Sequence, residues 1–344
     1  MALARRIGLT LGCVALLVVA AGCLAYRWSA RKLGYLPRQM LSQAGPGWMD
    51  AFRRTYRLPP LAGLALPRTT EGDGSAAFYA AALTWRPIRA PKGPTTAADS
   101  GQWVKVAGDP KLDRVVAAAA LRDWDAATQA LPHGDSTSFL AFRAPPFASM
   151  RIALQGLRVR AEERLAKHDL KGARTDLEAL MGLGDQMLRH EITLTGMIAG
   201  TQAVRLALPA YLDLARQSGD SAALTQLGAV QAWAAFRPTL GTNPVLYLAA
   251  PDSALAMAAD SSLALGWRQF MLYAYVAGQL SSPRVVGFGV RPAALDRLTP
   301  LTSDPNRDVA RLGRVARGTL ERFNRDTMRQ RWRFALTTES VSPY

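Results

Sequence analysis

The stretch FASMRIALQGLRVRAEERLAKHDLKGARTDLEALMG, residues 147–182, decides the fold class. It holds two helical patterns, 147–167 and 169–182, and the turn between them contains His168. Working outward, helical patterns recur at 184–208, 221–236, 252–263 and 265–280, with Pro209 perturbing the chain before a continuation over 210–217. Upstream, Ser75 is positioned to cap a helix over Ala76–Thr84, and a further pattern covers 110–131. No alternation of strand and helix appears, so the expected class is all-α, built from stacked helical hairpins or an irregular helical bundle.

The helix starts share one chemistry. Asp220-Ser221, Asp252-Ser253 and Asp260-Ser261 each place short oxygen-bearing side chains before Ala/Leu helix formers. Between the helices, Arg86–Gly108 is rich in Pro, Gly and Thr and reads as a long loop with one short strand at Trp103–Val106. Residues 237–250 and 281–304 also read as loops, and Gly182-Leu183-Gly184 reads as a helix break.

Two segments carry a family resemblance. Asp123-Trp124-Asp125-Ala126-Ala127 with Leu131, and Asp169-Leu170-Lys171-Gly172-Ala173 with Leu177, resemble the start of the second helix of a tetratricopeptide repeat. In the second unit Leu157 and Ala161 match part of the first helix, whereas Arg164 stands where a large aromatic is usual. The resemblance implies close-packed helix pairs with a concave side that binds peptides or proteins, without chemistry of its own.

The N-terminus reads differently from the body. After a short basic segment, 1–6, the run from Ile7 to Tyr26 is almost uninterrupted in its apolar character and would cross a bilayer once as a helix. Tyr26, Trp28 and Trp48 suit a membrane interface, and 27–70 reads as a basic membrane-proximal tether. Ala20-Ala21-Gly22-Cys23 resembles a lipobox, so Cys23 is a possible lipidation site. The expected location is a bacterial inner membrane with a single span and a periplasmic body; a lipoprotein and a cytoplasm-facing body are the alternatives. Cys13 and Cys23 are the only cysteines, so the body after the run contains no disulfide, cysteine nucleophile or cysteine-bound metal.

The net charge of +16 is unevenly spread. Residues 1–57 hold nine Lys or Arg against Asp50, and residues 307–333 hold nine Arg against Asp308, Glu321 and Asp326. At the far end Asp304-Pro305 starts an expected helix over 305–333, ahead of a tail over 334–344. Drawn as a helix, it puts Arg307, Arg311, Arg314, Arg322, Arg325, Arg329 and Arg333 in one sector, with Val309, Leu312, Ala316, Leu320 and Phe323 opposite. The Arg stripe is the candidate contact for membrane lipid or for an envelope protein with an acidic surface. A zinc-finger, RRM or KH motif is absent, and no nucleic-acid partner is expected.

Catalytic signatures are sparse. The histidines, His133, His168 and His190, are far apart, and after His190-Glu191 a leucine, Leu194, stands where a zinc helix needs its second histidine. No nucleophile elbow, phosphate loop or calcium loop exists, and no cofactor is expected. Adjacent acids such as Glu162 and Glu163 diverge around a helix. Glu191 is the buried-charge candidate, sharing a helix face with Met187, Leu194 and Ile198 and finding a partner in Arg151, Arg158 or Arg160. As half of such a pair, Glu191→Gln would cost roughly 3–5 kcal/mol. The sequence thus reads as a membrane-anchored helical scaffold or accessory subunit of an envelope complex, with a membrane-tethered hydrolase or peptidoglycan-acting enzyme built on Glu191 as the alternative.

Overall fold

A computed structural model of the chain describes residues 53, 57–61, 63–85, 97–126, 147–235, 251–280 and 288–326. A short strand β1 (Thr70–Asp73) leads into α1 (Gly74–Ala82), followed by α2 (Ala97–Ala107), α3 (Lys111–Ala119) and β2 (Leu121–Asp123). The long helices come next: α4 (Phe147–Ala166), α5 (Leu170–His190), α6 (Leu194–Ser218) and α7 (Ser221–Ala235). The chain continues with α8 (Pro251–Ala259), α9 (Leu265–Leu280), the short α10 (Pro292–Asp296) and α11 (Thr299–Thr302), and α12 (Arg307–Arg325).

Helix α5 is the axis of the bundle. It packs on α6, α4, α3 and α9, and from Ala179 to Leu188 every residue is buried. Its start is set by Asp169, whose side chain accepts from the Gly172 amide, after a turn in which His168 takes a positive φ of 59°. Helix α5 runs unbroken through Gly182 and Gly184, so the expected break is replaced by a close approach. A Cβ at Gly184 would lie 2.6 Å from a methyl of Val204, and one at Gly200 of α6 would lie 2.8 Å from the Met187 Cβ. The missing side chains therefore let two backbones meet where any other residue would hold them apart.

The polar groups inside are largely paired. Arg160 of α4 grips the fully buried Asp176 of α5 through two bonds of 3.0 and 2.7 Å and also reaches Asp113 of α3 at 2.7 Å. Arg164 adds a third bond to Asp176 at 2.8 Å, so α4 and α5 are tied at this carboxylate and α3 joins them through the Arg160 guanidinium. The two strands form a parallel pair, with Thr70 opposite Leu121 and Asp73 opposite Asp123.

Several expectations are corrected. The segment expected as a long loop contains α2, and Trp103–Val106 is helical rather than extended. The described part of the pattern over 110–131 divides into α3 and β2, with Asp123 closing that strand and the chain turning helical at Ala126. A regular stack of repeat hairpins is thus replaced by an irregular all-α bundle with one parallel strand pair. The described part of the expected tether packs on the body: the Leu58 amide bonds to Ser262 O at 2.9 Å, the Trp233 indole to Arg57 O at 2.8 Å, and Leu61 and Leu64 are buried.

The membrane assignments are corrected as well. The expected span over 7–26, Cys23, Tyr26, Trp28 and Trp48 lie outside the described residues. Among the described residues no helix is long and apolar enough to cross a membrane. The longest, α6, carries Arg205, Asp213 and Arg216, and charges at this density are costly in hydrocarbon. The single-pass inner-membrane placement, the signal anchor, the periplasmic body and the lipid partnership therefore have no support among the described residues. The reading as a membrane-anchored scaffold or envelope subunit is corrected on the same finding: no helix among the described residues supports it.

Candidate functional site

Two features stand out around α1, one buried and one open. The buried feature is Glu191, which lies not within a helix but at the end of α5, with extended backbone and its amide bonded to Met187 O at 3.1 Å. Thr193 then caps α6 by accepting from the Gly196 amide. This short link turns the Glu191 side chain inward, where it is 1% exposed. Its Oε1 accepts from the Tyr79 hydroxyl of α1 and from the Trp124 indole N–H at 3.2 Å. Phe78, Tyr79 and Trp124 close over it, with ring centroids 5.9 to 6.4 Å apart. On its other side Gly196 is so near that a Cβ there would collide with the carboxyl group.

No cation reaches this carboxylate among the described residues, contrary to the expected ion pair. Arg160 is committed to Asp176 and Asp113, Arg158 to Glu162 at 2.8 Å, and Arg151 is exposed. Ile198, expected on the same buried face, is 46% exposed. Burial therefore dominates and raises the Glu191 pKa to about 7; the bonds from Tyr79 and Trp124 oppose the rise, and Asp73 adds to it. Tyr79 is itself pushed far above the ordinary phenol range, first by burial and then by Glu191, and it stays a donor. The sealed geometry also corrects the hydrolase alternative. A general acid must touch its substrate, and Glu191 is enclosed by three aromatic rings and a helix backbone. Among the described residues no His, Cys, Asp and Glu group is arranged to hold a metal ion.

The open feature is a groove of about 600 Å³ on the far side of α1. Ala77, Ala80 and Ala81 of α1 face Ala117 and Ala118 of α3 across it, and Leu121 of β2 also lines it. Residues 77, 80 and 81 share one helical face, which leaves Phe78, Tyr79 and Ala82 for the core. Arg114, one turn before Ala117 and Ala118, is the charged residue of the lining; it is exposed and has no ion-pair partner among the described residues. The helices meet at Gly74, where a Cβ would lie 2.8 Å from Ala118 O.

The arginine stripe is partly used up inside the molecule. Helix α12 buries Val309, Leu312, Ala316, Leu320 and Phe323 and begins at Asn306, whose side chain accepts from the Asp308 and Val309 amides. Gly313 gives the close approach to Leu301 of α11. Of the stripe, Arg311 lies 3.8 Å from Asp125, and Arg314 reaches Thr302 O at 3.4 Å. Arg307, Arg322 and Arg325 are exposed, while Arg329 and Arg333 fall outside the described residues. Arg317, off the sector, pairs with Glu321 at 2.8 Å.

Sequence reading singled out Glu191 but gave it the wrong neighbours, and it did not single out Tyr79, Arg114 or the groove. The available signal was the alanine content of α1 and α3, where small side chains at 77, 80, 81, 117 and 118 leave a surface hollow between two helices. No family model, curated protein or solved structure matches the chain.

Proposed function

We propose that the protein is a non-catalytic binding module whose alanine-lined groove takes a small apolar carboxylate. The observation that carries this reading is Arg114, a guanidinium without an ion-pair partner among the described residues, on a groove otherwise lined by Ala, Leu and Thr. The volume of about 600 Å³ falls in the size range of small-molecule sites. Alanine walls give an apolar body close contact with both helices, and the guanidinium can bind a carboxylate through two parallel hydrogen bonds. Such a ligand matches the groove at both ends, whereas a neutral apolar molecule would leave Arg114 unused.

The test is equilibrium binding of medium-chain fatty acids and aryl carboxylates, followed by calorimetry. Wild-type protein should bind with one-to-one saturation. Arg114→Gln should weaken binding about tenfold, the value of roughly 1.4 kcal/mol for a lost charge-assisted bond. Ala80→Leu should fill the hollow and abolish binding without unfolding the protein, because residue 80 is exposed. Equal affinity in wild type and both variants would remove the groove as the site.

A further inference from the structure

Helix α1 belongs to both features just described. One of its faces lines the groove, and Tyr79, between two of the lining alanines, donates to Glu191. Its N-terminus is fastened to the same cluster. Asp73 Oδ1 accepts from the Ser75 amide at 2.9 Å, which starts the helix, and from the Asp125 amide at 3.1 Å, next to Trp124. Gly74 seats that end of α1 directly on the Ala118 carbonyl, and Ala118 lines the groove. The hydrogen bonds at Glu191 and the spacing of α1 from α3 are therefore set by one nine-residue helix and its cap.

We infer that proton binding at Glu191 regulates the groove, a neutral carboxyl favouring the ligand-binding arrangement of α1 and an ionised one opposing it. The inference rests on the groove being the ligand site. Its direction follows from two effects of the same sign. An ionised Glu191 is a buried anion with two hydrogen-bond donors but no cation beside it among the described residues, so the closed packing of α1 and Trp124 over it becomes costly. It also adds negative charge beneath α1, the helix that must receive an anionic ligand. Burial holds the group protonated up to about pH 7, which places the change near neutrality.

The charged groups on the surrounding elements do not relieve Glu191. Asp73 at the cap of α1 opposes its ionisation. Beyond β2, Asp125 lies near Arg311 of α12. On α5, His190 faces Asp308 of α12 at 3.5 Å, and Asp185 pairs with Arg68 and Arg189. On α3, Lys111 lies near Asp109 and Asp113 pairs with Arg160. The α4 arginines 158, 160 and 164 are bound to acids, and Arg268 of α9 lies 3.4 Å from Asp304. From α6 the nearest group is Gly196, which brings backbone only. His190 is the imidazole next to Glu191 in the chain, so its contribution must be separated.

The probe is an anilinonaphthalene sulfonate, which keeps its charge across the range, titrated at pH 5.5 and 8.5 with near-ultraviolet circular dichroism confirming the fold. In wild type the dissociation constant should rise about fivefold or more at the higher pH, a usual size for coupling between sites. Glu191→Gln should bring that ratio to near one, whereas His190→Gln should leave it at the wild-type value. Because linkage is reciprocal, calorimetry of wild type at pH 7.5 in two buffers of different ionisation heat should show proton uptake on binding. Measurable binding that is independent of pH, pH dependence that survives Glu191→Gln, or zero proton uptake overturns the inference and leaves the groove reading intact. Absence of saturable, Arg114-dependent binding at both pH values overturns both.

Discussion

Glu191→Gln should stabilise this protein in mild alkali, the reverse of what a buried ion pair would give. The carboxyl group is 1% exposed and has two donors, Tyr79 and Trp124, on a single oxygen, with no cation to balance it. Burial raises its pKa from 4.5 to about 7, a difference that corresponds to about 3 kcal/mol. The folded protein therefore holds a proton between pH 4.5 and 7 that the unfolded chain releases, and stability falls as pH rises through that window. Below the window both states are protonated and nothing is lost; above it the full penalty applies. Glutamine keeps the shape, accepts from the same two donors and has no charge to desolvate. Denaturant unfolding at pH 5 should thus find the variant within about 1 kcal/mol of wild type, because an amide oxygen is a comparable acceptor for these donors. At pH 8.5 the variant should be more stable by about 2–3 kcal/mol. A variant less stable than wild type by several kcal/mol at pH 8.5 would refute the reasoning, since it would require a cationic partner for Glu191.

Two further outcomes test the frame around the site. Asp176→Asn should cost about 3–5 kcal/mol by urea denaturation, because it leaves Arg160 and Arg164 facing a neutral group in the interior where three bonds now converge. Gly200→Ala should cost about 1–3 kcal/mol, because its Cβ would lie 2.8 Å from Met187 Cβ and 3.1 Å from Gly184 O, and the melting temperature should fall without loss of helical circular dichroism.

What the sequence disclosed and what it hid divide along the range of the interactions involved. The all-α content and the helices α4, α7 and α9 were legible because a 3.6-residue pattern is a local property, written within a few turns of the chain, whereas α12, expected over 305–333 from Asp304-Pro305, is described over Arg307–Arg325 with Asn306 as its cap. Gly182 and Gly184 misled for the opposite reason. Taken locally, two nearby glycines weaken a helix, yet here Gly184 meets Gly200 and Val204 of α6, and the contact that offsets their low propensity lies on another element. Glu191 shows the same limit in its chemistry. Its burial was inferable from the apolar residues near it, but its partners, Tyr79 and Trp124, stand 112 and 67 residues away and come from a helix and a strand end. Periodicity supplies no information at that separation, and three arginines on the neighbouring helix offered themselves as partners. The structure assigns Arg158 and Arg160 to other acids and leaves Arg151 exposed. That choice reverses the electrostatics of Glu191: a group expected to be held ionised by a cation is instead held neutral by burial, beneath the helix that forms one wall of the groove.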